Sequence, residues 1–234
     1  MAFRIRGSRR DIAHRARTKL GRVGYATIRD EDLGLPVFHR KQIRDSFFTP
    51  QVLRSYPDDI PADRLRARDV VRYDWVGDEV KLAEHHTVAI EDRGDHPGRR
   101  EFTRADVLFD PVLSHWIRRV LALVPESDRQ LSGTFGLNFF RTFTNVVTKP
   151  HRDGEEFIIV YVVDKVGAGA RSQLFVPHEP DPHFEVELSP GDLIIFRDDM
   201  FEHNVTPLLP TGGHPPRRDA LVCTVNYPDT YDLG

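Results

Sequence analysis

A histidine and an aspartate stand one residue apart, at His151 and Asp153, directly before a run of β-branched and aromatic residues. In an extended strand, side chains at positions i and i+2 project to the same face, so these two side chains point together while Arg152 points away. Such a pair is typical of a metal site, and equally of an ordinary buried hydrogen bond. A third ligand elsewhere in the chain has to decide between the two interpretations.

The strongest candidate for a third ligand is His203, which opens a later predicted strand in the segment DMFEHNVTPL. The chain between His151 and His203 is long enough for several strands to wind round and return. Two histidines and one carboxylate on one face form the facial triad of non-haem Fe(II) oxygenases, which leaves coordination positions open for substrates. The residues therefore favour a metal centre formed by His151, Asp153 and His203.

An arginine follows in the segment PRRDALVCTV, where strand alternation sends Arg218 to one face and Arg217 and Asp219 to the other. A buried guanidinium is costly unless an anion meets it, and its planar fork matches a carboxylate in a bidentate way. A keto acid that chelates the metal at one end would place its far carboxylate on Arg218. The alternative is a structural ion pair of Arg218 with Asp199 or Asp219.

Length and composition limit what these residues can belong to. The chain has 234 residues, a net charge of −3 and a single cysteine, Cys223. One domain is the default at this length, and one cysteine rules out an intramolecular disulfide and fits a reducing cytoplasm. The charge balance argues against a general nucleic-acid binder, and no apolar run is long enough for a membrane span. The arginine-rich residues 1–22 are predicted to be a solvated, partly frayed segment.

Two helices are predicted in the first half of the chain. One lies within residues 37–56, with Pro50 interrupting it, and the other covers 110–124, with Asp110 as the N-cap and Pro125 as the end. Two strand-like runs, ARDVVRYDW and EVKLAEHHTVAI, separate these helices.

The second half of the chain consists of short strand-like runs separated by turn residues. These runs are TFGLNFFRTFTNVV, FIIVYVVDKV, RSQLFVP, HFEVEL, DLIIFRD, HNVTPL and ALVCTVNYP. Seven such strands indicate a barrel or a double-sheet jelly roll rather than a βαβ fold. We therefore predict one mainly β domain with flanking helices, in which residues 126–234 form the jelly-roll core and residues 1–125 pack on it.

The sequence resembles the iron(II)/2-oxoglutarate-dependent dioxygenases. The segments that carry this resemblance are HRD followed by Gly and two Glu, the turn in SPGDLIIF, and then FEHNVTPL and RRDALVCTVNY. More narrowly, the sequence is similar to the bacterial branch that hydroxylates free amino acids, of which isoleucine 4-hydroxylase is the known type. The likeness extends from about Gly136 to Tyr227. It is weaker in GRREFTRADVLFDPVLSHWIRRVL and thins out before about residue 60.

The resemblance implies a double-stranded β-helix in which His151, Asp153 and His203 hold Fe(II). It also implies that Arg218 binds the distal carboxylate of 2-oxoglutarate, with O2 as the further co-substrate. Related halogenating enzymes lack the metal-binding carboxylate, and this chain retains Asp153, so hydroxylation is favoured over halogenation. Desaturation and ring closure remain open as alternatives.

Four residues are candidates for contacts with the substrate. Arg141 matches a family position and is expected to point toward the barrel near Asn138, although strict alternation would separate the two unless a bulge intervenes. Glu155 is a candidate for a substrate ammonium, with solvation at the surface as the alternative. Arg72 and its aromatic neighbours are candidates for the pocket mouth, and core packing explains the aromatic residues equally well.

Two rival functions remain at this point. A cupin-type barrel that holds a metal without turnover would be expected to carry a His-x-His pair, and this chain has none. The same oxygenase chemistry on a peptide, a carrier-bound amino acid or a nucleobase would need a charged docking face, and the dense basic cluster of the sequence is its N-terminal arm. The expected partner is a small molecule rather than nucleic acid or membrane. The oligomeric state is left open, with a homodimer as one option.

Overall fold

The structure is a computed structural model, and it describes residues 9–36, 38–56, 64–85, 90–92, 98–100, 102–143 and 149–226. The α-helices in these residues are α1 (Arg9–Val23), α2 (His39–Phe47) and α3 (Pro111–Leu121), and short 3-10 helices cover Asp30–Leu33, Val107–Phe109 and Glu126–Asp128. The strands are β1 (Tyr25–Arg29), β2 (Leu65–Val76), β3 (Glu79–Glu84), β4 (Ile90–Asp92), β5 (Gly98–Arg100), β6 (Ser132–Thr142), β7 (Phe157–Val166), β8 (Ala168–Gly169), β9 (Arg171–Phe175), β10 (Phe184–Glu187), β11 (Asp192–Arg197), β12 (Glu202–Val205), β13 (Leu208–Leu209) and β14 (Arg217–Val225).

Two sheets form the body of the molecule. The major sheet has seven strands in the order β1-β11-β7-β14-β6-β2-β3, and the minor sheet has three in the order β10-β9-β12. All the strand pairs in both sheets are antiparallel. This is the mainly β jelly-roll architecture predicted from the sequence, and that prediction is confirmed. Strands β1, β2 and β3 come from the first 125 residues, yet they extend the major sheet rather than forming a separate layer.

The major sheet buries both of its faces. One face packs against the helices, in a core that includes Trp116, Phe135 and Phe139. The other face packs toward the minor sheet through Ile158, Phe196 and other apolar residues of β7 and β11, joined by residues such as Leu174 and Leu188. We call this second face the interior face. A strand buried on both sides reads as a continuous apolar run, which is why β7 has the sequence FIIVYVV.

The helix predicted over 110–124 forms as α3, and its start has the expected cap. The Asp110 carboxylate accepts a hydrogen bond from the backbone N–H of Leu113 at 2.8 Å, and Pro111 occupies the first helical position. The helix predicted within 37–56 forms as α2 and ends before Pro50. Parts of the predicted strands, at 86–89, 144–147 and beyond Asn226, lie outside the described residues.

The N-terminal segment differs from the prediction of a solvated, frayed arm. From Arg9 onward it forms α1, and Ala16 and Leu20 of this helix are buried. Strand β1, which the sequence analysis missed, pairs with β11 at the edge of the major sheet. Two buried apolar residues among many arginines give a weak periodic signal, and tertiary packing supplies the stability that the local sequence does not show. No helix among the described residues has the length and apolarity to cross a membrane.

A buried polar network fastens α2 to the major sheet. One carboxylate oxygen of Asp30 accepts a hydrogen bond from the Tyr161 hydroxyl at 3.2 Å and lies 3.3 Å from Nε2 of His39. Burial raises the pKa of the Asp30 carboxyl, but the contacts with His39 and Tyr161 outweigh burial and bring it below its usual 3.8. The ionised form of Asp30 therefore stabilises the folded state.

The network predicts a pH-dependent loss of stability. Because the folded-state pKa of Asp30 is depressed, its contribution is present above its ordinary pKa and disappears as the pH falls through the folded value. We expect Asp30→Asn to lower the free energy of unfolding by about 1–3 kcal/mol at pH 7. In urea titrations, this difference from the wild type should shrink below about pH 4. If the difference in free energy of unfolding between the two proteins stayed constant down to pH 3, the stabilising role of ionised Asp30 would be contradicted.

Candidate metal centre

His151 and His203 meet across a short bridge between the segment that precedes β7 and strand β12 of the minor sheet. The backbone N–H of His151 donates to the His203 carbonyl at 3.2 Å, and the backbone N–H of His203 donates to the His151 carbonyl at 2.8 Å. The two imidazole rings lie with their centroids 4.6 Å apart. The jelly-roll topology thus brings together two histidines that are distant in sequence, as the strand analysis predicted.

Asp153 completes the group. Its Oδ1 atom lies 3.7 Å from Nε2 of His151, and its Oδ2 atom lies 3.6 Å from Nε2 of His203. One ligand atom from each of the three residues lies within 4.8 Å of the other two. His151 and Asp153 are exposed and His203 is half-buried, so the group opens toward solvent on one side. Two imidazoles and one carboxylate at these separations are a donor set that suits a divalent transition metal with open coordination positions.

The turn that carries Asp153 depends on a glycine. Gly154 has a φ of +84°, a left-handed conformation that few residues with a Cβ adopt. The backbone N–H groups of Gly154 and Glu155 both donate to Oδ2 of Asp198, at 2.7 and 3.1 Å. Asp198 is 1% exposed and lies directly after β11, so it ties the ligand turn to the major sheet.

The same carboxylate lies beside a metal-binding candidate. Oδ1 of Asp198 is 3.6 Å from Nδ1 of His203, and Nδ1 of His151 is 2.9 Å from the Lys149 carbonyl. Burial raises the pKa of Asp198, but His203 and the two backbone N–H groups outweigh burial and hold that pKa below its usual value. These contacts favour imidazoles protonated at Nδ1, and both Nε2 atoms then present lone pairs toward Asp153.

Asp198 was missed by the sequence analysis, and its position predicts a measurable effect. We expect Asp198→Asn to weaken divalent-metal binding by about 10- to 100-fold, because a neutral side chain supports His203 less well. Equilibrium dialysis against Fe(II) under nitrogen measures the affinity. Asp199→Asn is the matched control, since the neighbouring Asp199 is exposed and pairs with Arg197. Equal affinities of the two variants would contradict a role for Asp198 in orienting His203.

Arg218 lies where strand alternation placed it. It shares a face of β14 with Val222, which packs against the apolar cluster of the interior face. Arg218 is only 8% exposed, and its Nε and Nη2 atoms have no hydrogen-bond partner among the described residues. Burial alone lowers its pKa to about 10, so the guanidinium is still charged at neutral pH.

The structural alternative for Arg218 is excluded by its neighbours. Asp219 pairs with Arg141, at 2.7 Å for each carboxylate oxygen, and Asp199 pairs with Arg197. Within the described part of the chain, Arg218 therefore has no carboxylate partner. A buried guanidinium without a carboxylate partner is costly unless an anion binds to it. A dicarboxylate could bind Arg218 through one carboxylate and reach the metal group with its other end.

Comparison with known sequences agrees with this donor set. The model of the 2OG-Fe dioxygenase family matches residues 54–224, which include all three candidate ligands and Arg218. The chain belongs to the 2OG-Fe dioxygenase family. It is therefore an enzyme, and the family uses Fe(II), 2-oxoglutarate and O2. The prediction of a dioxygenase with these cofactors is confirmed. No curated protein sequence matches the chain.

Solved structures show the same fold. A bsmA homologue from Methylobium petroleophilum PM1 has a TM-score of 0.76 at 18% identity, with 96% of this chain and 95% of that chain covered. IDO from Bacillus thuringiensis has a TM-score of 0.68 at 16% identity, covering 97% and 99%. A prolyl-4-hydroxylase from Pseudomonas putida has a TM-score of 0.53 at 13% identity, covering 93% and 99%. At these identities the likeness concerns the fold.

Arg141 does not lie where the sequence analysis expected. It is the cross-strand partner of Asp219, and it lies on the face of β6 that packs against the helices, opposite Asn138. Its guanidinium binds Asp219 and donates to the Phe48 carbonyl at 2.9 Å. Strand alternation between 138 and 141 is unbroken, so the bulge that would have turned Arg141 inward is absent from β6.

This geometry makes Arg141 a structural residue. We expect Arg141→Met to lower the free energy of unfolding by about 3 kcal/mol, since it leaves the Asp219 carboxylate buried without its main partner. The double variant Arg141→Met/Asp219→Leu should recover most of that loss in chemical denaturation. The KM values should remain those of the wild type. A raised KM for the substrate in a variant of unchanged stability would restore Arg141 to the binding site.

The other substrate-contact candidates fall into two groups. Asn138 faces the interior and is buried, and Glu155 is also buried, which excludes the alternative that Glu155 is a solvated surface residue. Arg72 is exposed and its Nε donates to the Glu84 carbonyl at 3.3 Å. Its neighbour Tyr73 packs in the helix-side core, so the aromatic residue there does not form a pocket mouth.

Proposed function

We propose that this dioxygenase hydroxylates an unactivated C–H bond of a free amino acid or a closely similar small molecule, with conversion of 2-oxoglutarate to succinate. The main support is the combination of a His151–Asp153–His203 group with a buried Arg218 on the interior face that has no carboxylate partner among the described residues. In this proposal the three residues hold Fe(II), and Arg218 binds the distal carboxylate of 2-oxoglutarate. When bound, Fe(II) with 2-oxoglutarate and O2 supplies the oxidant.

The chain's own contribution is binding, orientation and exclusion of water. Arg218 fixes the direction of the keto acid through a bidentate contact, and the contacts of Asp198 and Lys149 hold the two imidazoles. Phe196 packs its ring 5.1 Å from that of His203 and shields this side of the site. The pocket then decides which C–H bond lies within reach of the oxidant.

A small zwitterionic substrate suits the charges near the site. Glu155 is two residues after Asp153 and is buried, and in this proposal its carboxylate binds the substrate ammonium. Retention of Asp153 supports hydroxylation over halogenation. A cytoplasmic location and a single domain over residues 1–234 remain predictions of the sequence, and the oligomeric state stays open, with a homodimer as one option.

Stimulated succinate formation tests the proposal. The purified protein is supplied with Fe(II), 2-oxoglutarate and ascorbate in air, and each of the twenty proteinogenic amino acids and common nonproteinogenic ones is added in turn. We expect one or a few to raise succinate production above the uncoupled rate, with a product heavier by one oxygen atom. Stimulation by a peptide or a carrier-bound amino acid alone would overturn the free amino acid as substrate while leaving the cofactor chemistry intact.

A further inference from the structure

One glycine lies between the N-terminal helix and the segment that leads to His203. Gly24 directly follows α1, where its N–H donates to the Leu20 carbonyl at 2.9 Å, and it has a φ of +80°. Glycine is common at this position because residues with a Cβ adopt a left-handed conformation only with strain. The Gly24 carbonyl accepts a hydrogen bond from the backbone N–H of Arg197 at 2.9 Å. Gly24 therefore connects α1 to the end of β11.

The loop between β11 and His203 packs directly on Gly24. We call this loop, residues 198–203, the His203 loop. A Cβ atom on Gly24 would lie 2.7 Å from Sδ of Met200 and 2.8 Å from Cε2 of Phe201. Atoms in favourable van der Waals contact with carbon are about 3.5–4.0 Å away, so the packing leaves no room for a side chain at position 24.

The two contacts differ in how easily they can yield. Met200 is exposed, and its long side chain can rotate away from an added methyl group. Phe201 is only 2% exposed, and its ring stacks on that of His183 at 5.8 Å and meets the edge of the Tyr25 ring at 6.0 Å. A side chain on Gly24 would therefore displace the buried Phe201 and the backbone that carries it.

Tyr25 gives the N-terminal segment a second connection to the metal centre. It is the cross-strand partner of Phe196, and the Phe196 ring lies 5.1 Å from that of His203. Nζ of Lys19 on α1 lies 4.8 Å over the Tyr25 ring, so the helix covers this aromatic group from outside. The junction of α1 and β1 therefore adjoins both Phe196, which contacts His203, and Phe201, which precedes it by two residues.

We propose that Gly24 is a positioning residue for the metal centre. Because it has no side chain, Phe201 packs against the junction of α1 and β1, and this packing fixes the His203 loop with Asp198 at one end and His203 at the other. The inference rests on the proposed function, since it takes His203 as an iron ligand. Residues 9–29 lie outside the part of the chain that matches the family model, and the inference gives them a role in metal binding.

Gly24→Ala tests the inference through metal binding rather than turnover. We expect the affinity for Fe(II), from equilibrium dialysis under nitrogen, to fall about 10- to 100-fold, as it does when a group that orients a metal ligand is lost. Gly77→Ala is the matched control, because Gly77 also has a left-handed φ, +62°, and a Cβ there would meet no described atom within 4 Å. Both variants should lose melting temperature, since both strain the backbone, and only Gly24→Ala should lose metal affinity.

A smaller side chain at position 201 should restore binding. Phe201→Leu removes the ring atom that the new Cβ would meet, so the double variant Gly24→Ala/Phe201→Leu should bind Fe(II) within about threefold of Phe201→Leu alone. Losses that simply multiplied in the double variant would overturn the steric link. If Gly24→Ala does not fold, Phe201→Leu takes its place, since looser packing of the His203 loop should weaken Fe(II) binding at least about threefold. Wild-type affinity in Phe201→Leu would then overturn the inference.

Failure of the inference can be told apart from failure of the proposed function. If the wild type binds Fe(II) and His203→Ala does not, while Gly24→Ala and Gly77→Ala bind it equally well, the metal centre stands and Gly24 serves only the fold. If the wild type itself binds no Fe(II), or binds it as well as His203→Ala does, the proposed metal centre is wrong and the positioning role is wrong with it.

Discussion

Replacing His203 with alanine is expected to abolish Fe(II)-dependent decarboxylation of 2-oxoglutarate, with a loss of more than about 100-fold. Loss of a residue that only supports a metal ligand already costs about 10- to 100-fold in metal affinity or activity, and loss of the ligand itself should cost more. The fold should survive, because His203 is half-buried and its two backbone hydrogen bonds with His151 do not need the imidazole. Succinate production and bound iron per chain are the two measurements.

The control for His203 is another histidine, one that belongs to no metal-binding group among the described residues. His14 is exposed on α1, and His14→Ala should retain both the iron and the activity of the wild type. Asp153→Ala should resemble His203→Ala in iron content. If His203→Ala bound iron as the wild type does and still decarboxylated 2-oxoglutarate, the facial arrangement of His151, Asp153 and His203 would be wrong.

The elements that the sequence predicts well are those with strong local signals. The run from Phe157 to Val166 contains β-branched and aromatic residues almost throughout, and the turn SPGD places Pro190 and Gly191 where a type II turn needs them, with a φ of +96° at the glycine. The cap at Asp110 is likewise a local feature. For such segments, the nearest neighbours in sequence already contain most of the structural information.

The residues that were missed or misplaced depend on partners from other strands. Asp198 sits in the exposed-looking stretch RDDM, and only the packing of the ligand turn shows that it is buried. The family resemblance led to the prediction that Arg141 points toward the barrel, whereas the strand register places Arg141 opposite Asp219. Strand alternation argued for this outcome, and the structure shows that it should have outweighed the resemblance.

Arg66 and Arg68 are buried in β2, and the sequence analysis did not predict their burial. In LRARDVV, two arginines two residues apart in a predicted strand must share a face, just as His151 and Asp153 do. What the sequence does not give is which face points inward, since both faces of β2 are buried over most of its length. The pairing of β2 with β6 settles this question.

Replacing Arg218 with methionine is expected to affect stability and the binding of 2-oxoglutarate in opposite directions. Arg218 is a buried charge with no carboxylate partner in the part of the chain that the structure describes, and removing such a charge should leave the fold as stable or make it more stable. Arg218→Met is therefore expected to keep or raise the melting temperature. The same variant should bind 2-oxoglutarate about 100-fold more weakly, because a bidentate, charge-assisted contact in an enclosed site is lost. An Arg218 that served only the structure would show the reverse pattern.

Two measurements on each variant separate these outcomes. Anaerobic titration of the Fe(II)-loaded protein with 2-oxoglutarate, followed by the metal-to-ligand absorption band in the visible, gives the affinity, and thermal denaturation of the protein without keto acid gives the stability. Arg217→Gln is the matched control, since Arg217 faces away from the interior and pairs with Asp164, so its loss should cost stability and leave 2-oxoglutarate binding unchanged. A destabilised Arg218→Met with wild-type affinity would mean that the keto acid binds elsewhere, and that a residue outside the described part of the chain neutralises Arg218.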